Sequence, residues 1–183
     1  YIGSKNCFAV NSATSAIEIV AKLCQLNKGD EVVIPAHTYT SSAYPFVKNN
    51  ASIKWSDIDL TTRVTNIKYI KRVVTKKTKV IVVPHLYGFA VDIVPILKFA
   101  KKRKIIVVED CAQALGVEFN GKKVGTFGDF AVFSFHSHKN ITTMGEGGVI
   151  VSKSNKYNKI IPMIRHNGHS KFTGSQKHYW LPA

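Results

Sequence analysis

Long apolar runs and an N-terminal targeting pattern are both missing from this sequence of 183 residues. A membrane-spanning helix needs about 20 consecutive apolar residues, and no stretch of the sequence approaches that length. Hydrophobic residues nevertheless make up 45% of the chain, which is enough for one domain with a substantial core. We therefore expect a globular protein without a membrane partner.

Cysteine is scarce, and its positions argue against a metal site. The three cysteines, Cys7, Cys24 and Cys111, are an odd number and lack the spacing of metal ligands. We therefore expect no metal centre and a reduced, cytoplasmic setting. Cys111 lies beside Asp110, where we interpret it as an apolar filler of the core and not as a nucleophile.

Arginine and acidic side chains are also few, although the net charge of +15 is high. Arginine, the preferred residue for bidentate contacts to phosphates and bases, occurs only at positions 63, 72, 103 and 165. The lysines are scattered, apart from short clusters at residues 76–79 and 101–104 that precede predicted strands. Nucleic acid is therefore not an expected partner, whereas an anionic substrate would be attracted by the charge. A non-catalytic basic binding module is the alternative interpretation.

Helical and strand patterns alternate along the chain, which predicts an α/β fold with a mostly parallel sheet and helices on both faces. Continuous apolar runs such as Val80–Val83 are typical of buried parallel strands. The predicted helices span residues 16–26, 41–49, 67–74, 91–102 and 155–165. The predicted strands span residues 31–35, 52–55, 80–84, 105–109, 131–135 and 148–151.

Three polar residues near the ends of the later strands carry a distinct chemistry. Lys139 lies just beyond an apolar strand and can form a Schiff base with an aldehyde, if burial or a nearby cation deprotonates its amine. Asp110, at the end of another strand, can pair with a protonated ring nitrogen, and the Ser134 hydroxyl can bind a phosphate. Aldehyde, pyridinium and phosphate together describe pyridoxal 5'-phosphate (PLP). Alone, such a lysine is usually a solvated surface residue and such an aspartate a helix cap, so the prediction depends on their combination.

Further candidate contacts to this cofactor have ordinary alternatives that the sequence leaves open. Ala13 and Thr14 lie just before the first predicted helix, and the N–H groups and hydroxyls at such a helix N-terminus can bind a phosphate or simply cap the helix. Tyr39 can stack on the ring or pack in the core. Gln113 can hydrogen-bond the phenolic oxygen, while we interpret His85 as a structural histidine.

The stretches 109–114, 121–129 and 133–148 resemble the DegT-type nucleotide-sugar aminotransferases, a family of fold type I PLP enzymes. The likeness runs over essentially the whole chain and implies the aspartate-aminotransferase-like large domain. It implies PLP as cofactor, with Lys139 as the Schiff-base lysine and Asp110 as the partner of the pyridine nitrogen. The other implied contacts are Gln113 to the phenolic oxygen, Ala13, Thr14 and Ser134 to the phosphate, and Tyr39 stacked on the ring. Ala13 stands where the family usually has Gly, and its backbone amide can still serve.

The resemblance implies amino transfer, because related sugar dehydratases carry His where this chain has Lys139. Glutamate would supply the amino group, and a keto group on a nucleotide-linked deoxy sugar would receive it. Lys139 would also be the base that moves the proton. His136 is typical of members that aminate a 4-keto sugar, while those acting on 3-keto sugars more often carry Tyr there. Another PLP reaction, such as dehydration or cysteine desulfuration, is an alternative.

Family members are roughly twice as long as this chain and carry a C-terminal small domain. The resemblance therefore predicts that residues 1–183 are the PLP-binding large domain, as a fragment without its N-terminal start and without the small domain. The sequence begins at Tyr1 without a Met and stops at Trp180–Ala183, before that domain would begin. A homodimer is implied for the full-length protein, since the sites of the family form at a dimer interface.

Overall fold

A seven-stranded sheet organises the fold in this structure, a computed structural model that describes residues 1–166 and 168. The strands are β1 (Cys7–Val10), β2 (Glu31–Pro35), β3 (Ser52–Ser56), β4 (Thr78–Pro84), β5 (Ile106–Asp110), β6 (Glu118–Phe119), β7 (Lys122–Lys123), β8 (Phe130–Ser134) and β9 (Gly148–Ser152). The helices are α1 (Ala13–Leu23), α2 (Tyr44–Lys48), α3 (Ile67–Val73), α4 (Val94–Arg103) and α5 (Ile160–Arg165). Two short 3₁₀ turns span Thr40–Ser42 and Asn155–Tyr157. The predicted end of the domain at Trp180–Ala183 lies outside the described residues.

The strand order in the main sheet is β1-β9-β8-β5-β4-β2-β3. Strands β3, β2, β4, β5 and β8 pair in parallel. Strand β9 runs antiparallel to both of its neighbours, β8 and β1. The prediction of a mostly parallel sheet is therefore confirmed, with one reversed strand near an edge.

Helices cover both faces of the sheet, as the sequence predicts. Successive residues of a strand point to opposite faces, so Val32 packs with α1, α2 and α5, while Val33 packs with α3 and α4. Both side chains are fully buried. A strand that is buried on both faces needs the continuous apolar sequence that β2 and β4 have.

Proline and capping residues move several helix boundaries away from their predicted positions. α4 begins at Val94 and α5 at Ile160, both later than predicted, because Pro95 and Pro162 are tolerated only in a first turn. α1 begins earlier than predicted, at Ala13, because the Ser12 side chain caps it by accepting from the Ser15 N–H. The predicted helix over 41–49 is a 3₁₀ turn followed by the short α2.

Three short strands, β1 and the two strands of one hairpin, are absent from the predicted set. Strand β1 is a four-residue edge strand whose apolar side chains are only half-buried or exposed. Strands β6 and β7 form a hairpin across Asn120 and Gly121, both of which have positive φ. An Asn-Gly pair is a strong hairpin signal, so the sequence did contain the information for this turn. Within residues 1–166 and 168, no helix combines the length and apolar character that a membrane span requires.

Candidate active site

The carboxyl ends of four parallel strands meet at one edge of the sheet, which is where open α/β sheets bind ligands. Tyr39 follows β2, His85 follows β4, Asp110 ends β5 and Ser134 ends β8. The register brings Asp110 beside Pro84 on one side and Val132 on the other. At the same edge, the pairing of β1 with β9 brings the start of α1 against the start of β9. Residues far apart in sequence are thereby gathered around one opening.

A cavity of about 300 Å³ occupies this opening. All of the candidate residues from the sequence line it, namely Ala13, Thr14, Tyr39, Asp110, Gln113, Ser134 and Lys139. A neighbouring cavity of about 400 Å³ shares Gln113, Ser134 and Lys139 with it. Lys139 is thus accessible from two adjoining spaces, each large enough for a small molecule. A larger groove of about 780 Å³ between α1 and α5 contains none of the candidate residues.

The start of α1 forms the polar end of the 300 Å³ cavity. The first N–H groups of a helix have no intrahelical acceptor and carry partial positive charge. The Thr14 hydroxyl lies 2.8 Å from the Ser41 hydroxyl, and Ser134 Oγ accepts from the His136 N–H at 3.4 Å. Hydroxyls and free helix N–H groups together suit an anion.

Gly148 allows β9 to approach the start of α1 closely. A Cβ at this position would lie 2.6 Å from the carbonyl oxygen of Ser12 and 2.7 Å from the backbone nitrogen of Ala13. Because both atoms belong to the backbone, a side chain could be accommodated only by moving the helix. Glycine therefore sets the position of the polar end of the cavity.

Asp110 is buried, with 8% of its surface exposed, and both carboxylate oxygens accept hydrogen bonds. Oδ2 accepts from the Ser42 hydroxyl at 2.7 Å, and Oδ1 accepts from the Ala112 N–H at 3.1 Å. The bond to Ala112 resembles a helix cap, which is the ordinary role that such an aspartate has. Asp110 makes this bond and also lines the cavity. An ionised carboxylate held in this way can pair with a cationic ligand atom.

Gln113 and Tyr39 have well-defined surroundings at the same cavity. The side-chain oxygen of Gln113 accepts from the Tyr87 N–H at 3.2 Å, which leaves its amino group to donate. Tyr87 itself has a positive φ of 53°, a costly backbone conformation for a non-glycine residue. Tyr39 is 71% exposed, so the alternative of a core aromatic is wrong.

His85 and Glu109 form a fully buried pair, and His85 is also part of the cavity wall. His85 Nδ1 accepts from the Val91 N–H at 3.0 Å, so Nε2 carries the proton and donates to Glu109 at 3.1 Å. Burial raises the pKa of the Glu109 carboxyl, but the bonds from His85, Gly128 and Gly125 outweigh it and hold the pKa below its usual value. The interpretation of His85 as a structural histidine is confirmed.

The sequence interpretation missed the role of Glu109, although a carboxylate inside a buried strand was a usable signal. Together with Cys111, His85 and Glu109 bring potential metal-ligand atoms within 4.8 Å of one another. Their hydrogen bonds already occupy His85 and Glu109, and burial raises the pKa of the Cys111 thiol well above its usual value, with the charges of Glu109 and Asp110 adding to it. A thiol binds metal as a thiolate, so this cluster is better described as core. Cys111 packs in an apolar cluster, as the sequence predicts.

The loop between β8 and β9 carries Lys139 and is tied together at its base. The Phe135 N–H donates to the Gly147 carbonyl at 2.8 Å, and His136 Nε2 lies 3.2 Å from Glu146 Oε1. The Lys139 N–H donates to the His136 carbonyl at 2.8 Å. These bonds hold the half-buried lysine at the junction of the two cavities.

Known proteins share this arrangement of sequence and fold. A sequence model of the DegT/DnrJ/EryC1/StrS aminotransferase family matches residues 1–181. The GDP-perosamine synthase of Vibrio cholerae is 36% identical over 154 residues, which are 84% of this chain and 42% of that protein.

Two solved structures superpose well on the chain. The aminotransferase from Psychrobacter cryohalolentis has a TM-score of 0.84 at 34% identity, covering 86% of this chain and 40% of its own. The Escherichia coli GDP-4-keto-6-deoxy-D-mannose-3-dehydratase with bound hydrated PLP has a TM-score of 0.83 at 33% identity, covering 89% and 43%. The chain spans less than half the length of each of these proteins. The predicted fold class, the large domain of fold type I, is confirmed.

Proposed function

Because this chain belongs to the DegT/DnrJ/EryC1/StrS aminotransferase family, we propose that residues 1–183 form the PLP-binding large domain of a sugar aminotransferase. The observation that carries the proposal is the single cavity that Lys139, Asp110 and the start of α1 line together. Its substrate would be a nucleotide-linked keto sugar, and glutamate would be the amino donor. The relative from Vibrio cholerae is named for a GDP-linked amino sugar, which supports this substrate class.

The donor set of the cavity fits PLP at each end of the molecule. The free N–H groups at Ala13 and Thr14, with the hydroxyls of Thr14 and Ser134, suit the phosphate. The buried Asp110 carboxylate suits a protonated ring nitrogen, and the amino group of Gln113 suits the phenolic oxygen. Tyr39, exposed at the mouth, is available to stack on the ring.

When bound, PLP supplies an aldehyde and an electron-withdrawing ring. Lys139 would hold the cofactor covalently through Nζ and afterwards move a proton between the substrate carbon and the cofactor. Asp110 would keep the ring nitrogen protonated. The adjoining 400 Å³ cavity offers the amino donor or the sugar a separate approach to Lys139.

Amination is favoured over dehydration by Lys139 itself, because the related dehydratases carry His at this position. The three free cysteines fit the proposed cytoplasmic location. A homodimer is part of the same proposal, since the family sites form between two subunits. His136 at the cavity wall supports the 4-keto position as the one aminated.

The test is an amino-transfer assay on the purified protein with PLP, glutamate and GDP-4-keto-6-deoxymannose. We expect 2-oxoglutarate and an aminated nucleotide sugar in equal amounts. Lys139→Ala should lower the rate by at least about 100-fold, since proton transfer by a positioned base contributes that much or more. Lys101→Ala, which removes an exposed lysine from α4, should leave the rate unchanged. Salt-dependent binding to nucleic acid without amino transfer would instead favour the basic binding module.

A further inference from the structure

A chain of three side chains connects the turn after β2 to the end of β5. The Thr38 hydroxyl lies 2.8 Å from the Ser42 hydroxyl, and Ser42 lies 2.7 Å from Asp110 Oδ2. Ser42 is fully buried and stands 68 residues before Asp110 in the sequence. None of the sequence motifs assigns a role to either hydroxyl.

The direction of these hydrogen bonds follows from the chemistry of the groups. An ionised carboxylate can only accept, so the single hydroxyl proton of Ser42 points to Asp110. Ser42 then has only lone pairs to offer to Thr38, which makes Thr38 the donor between the two hydroxyls. Both donors therefore point along one path toward Asp110, and aligned hydrogen bonds of this kind strengthen one another in a buried setting.

We propose that Ser42 and Thr38 are positioning residues that hold Asp110 ionised and aimed at the ring nitrogen of a bound pyridinium cofactor. The inference rests on the proposed function, and it adds two residues to the site. The hydrogen bond from Ser42 stabilises the charged form of the Asp110 carboxylate. The proton between this carboxylate and the ring nitrogen therefore stays on the ring nitrogen. Removal of the Ser42 hydroxyl takes away the hydrogen bond to Oδ2, and we expect the proton on the ring nitrogen to move toward the carboxylate.

The same relay also fixes the geometry of the site. Thr38 immediately precedes Tyr39, so the bonds tie the segment that carries the exposed ring of Tyr39 to Asp110. Thr38 and Asp110 both line the 300 Å³ cavity, whereas Ser42 lies behind its wall. Ser42 thus acts through Asp110 and not on the ligand.

The experiment is nitrogen NMR of PLP labelled with nitrogen-15 in the ring, bound to the purified protein. In the unchanged protein we expect the resonance of a protonated pyridine. Ser42→Ala should move the resonance toward the unprotonated position and weaken PLP binding by about tenfold, the effect of losing one hydrogen bond to a charged group. Thr38→Val, which keeps the side-chain shape, should give a smaller shift in the same direction. Thr38→Ser, which keeps the hydroxyl, should show the same resonance as the unchanged protein.

Ser152→Ala is the matched control, because Ser152 is equally buried and donates to the Ser154 carbonyl, away from the site. It should leave the resonance unchanged. An unprotonated ring nitrogen in the unchanged protein, or an unshifted resonance in both Ser42→Ala and Thr38→Val, would overturn the inference. Failure of the unchanged protein to bind PLP at all would instead refute the proposed function.

Discussion

Nε2 of His85 lies 3.1 Å from Oε2 of Glu109, and neither side chain is exposed to solvent. Glu109 also accepts from the N–H groups of Gly125, Phe127 and Gly128, at 2.7–2.8 Å. The carboxylate of Glu109, a residue of β5, therefore holds the loop that precedes β8 against this strand, directly beside Asp110. A buried charge is tolerated here because four donors surround it.

Glu109→Gln is expected to lower the free energy of unfolding by about 3 kcal/mol at neutral pH, because an amide offers one accepting oxygen instead of two. The pKa of Glu109 is held below its ordinary value of 4.5 in the folded protein. The ionised carboxylate therefore stabilises the fold fully above that value, and its contribution is lost as the pH falls through the lower folded pKa. Chemical denaturation at a series of pH values measures the difference between the two proteins.

Glu118→Gln serves as the control for this experiment, because Glu118 is an exposed carboxylate paired with Lys123. Its effect should be small at every pH. A difference between the unchanged protein and Glu109→Gln that stays constant from neutral to acid pH would contradict the assignment of an ionised Glu109.

Gly148→Ala is expected to weaken PLP binding by about 5- to 150-fold, because overpacking at the start of α1 costs about 1–3 kcal/mol. The added methyl group would collide with the backbone of Ser12 and Ala13. Gly145 lies in the loop just before β9, and a Cβ added there would have no other atom within 4 Å. Gly145→Ala should therefore bind PLP normally. Equal affinities of the two variants, measured by fluorescence titration, would show that the helix start does not hold the phosphate.

Thr14→Val is expected to reduce the affinity for PLP by about tenfold while leaving the affinity for pyridoxal unchanged. Pyridoxal lacks the phosphate, so the comparison isolates the group that the Thr14 hydroxyl is proposed to contact. Thr14→Ser, which keeps a hydroxyl, should bind PLP almost as well as the unchanged protein. A parallel loss for both ligands would mean that Thr14 contributes to folding and not to phosphate binding.

The cysteines should react with iodoacetamide in an order set by burial. Cys7 is exposed and should be alkylated first. Cys24 is half-buried, and burial raises the pKa of its thiol to about 12, so it should react more slowly than Cys7. Cys111 is fully buried and the pKa of its thiol is raised well above its usual range, so it should react only on unfolding. Peptide mass mapping at intervals follows the reaction, and early modification of Cys111 would rule out its place in the core.

Much of the fold could be predicted from the sequence, because apolar periodicity directly reflects burial. The strand over 31–35 was predicted with its observed bounds, and the other buried strands to within about two residues, which is the usual uncertainty of an element end. Strand β1 is a run of only four apolar residues, too short to identify by itself, and its pairing with β9 joins segments about 140 residues apart. Backbone pairing of that kind leaves no local pattern.

The candidate site shows the same division between local chemistry and long-range contact. The seven candidate residues all line the cavity, and most of them carry side chains that can react with or bind a ligand, so their types and positions could single them out. Ser42 and Glu109 act through other protein groups, and only the folded chain shows which ones. A buried serine in a turn has no chemistry of its own to mark it.

Borohydride reduction of the purified protein with added PLP, followed by peptide mass mapping, shows directly whether Lys139 carries the cofactor. Reduction fixes a covalently held cofactor on the side chain that carries it. We expect a phosphopyridoxyl group on Lys139 and its loss in Lys139→Ala, with Lys101→Ala labelled normally. An unlabelled Lys139, or labelling spread over the exposed lysines, would contradict this assignment.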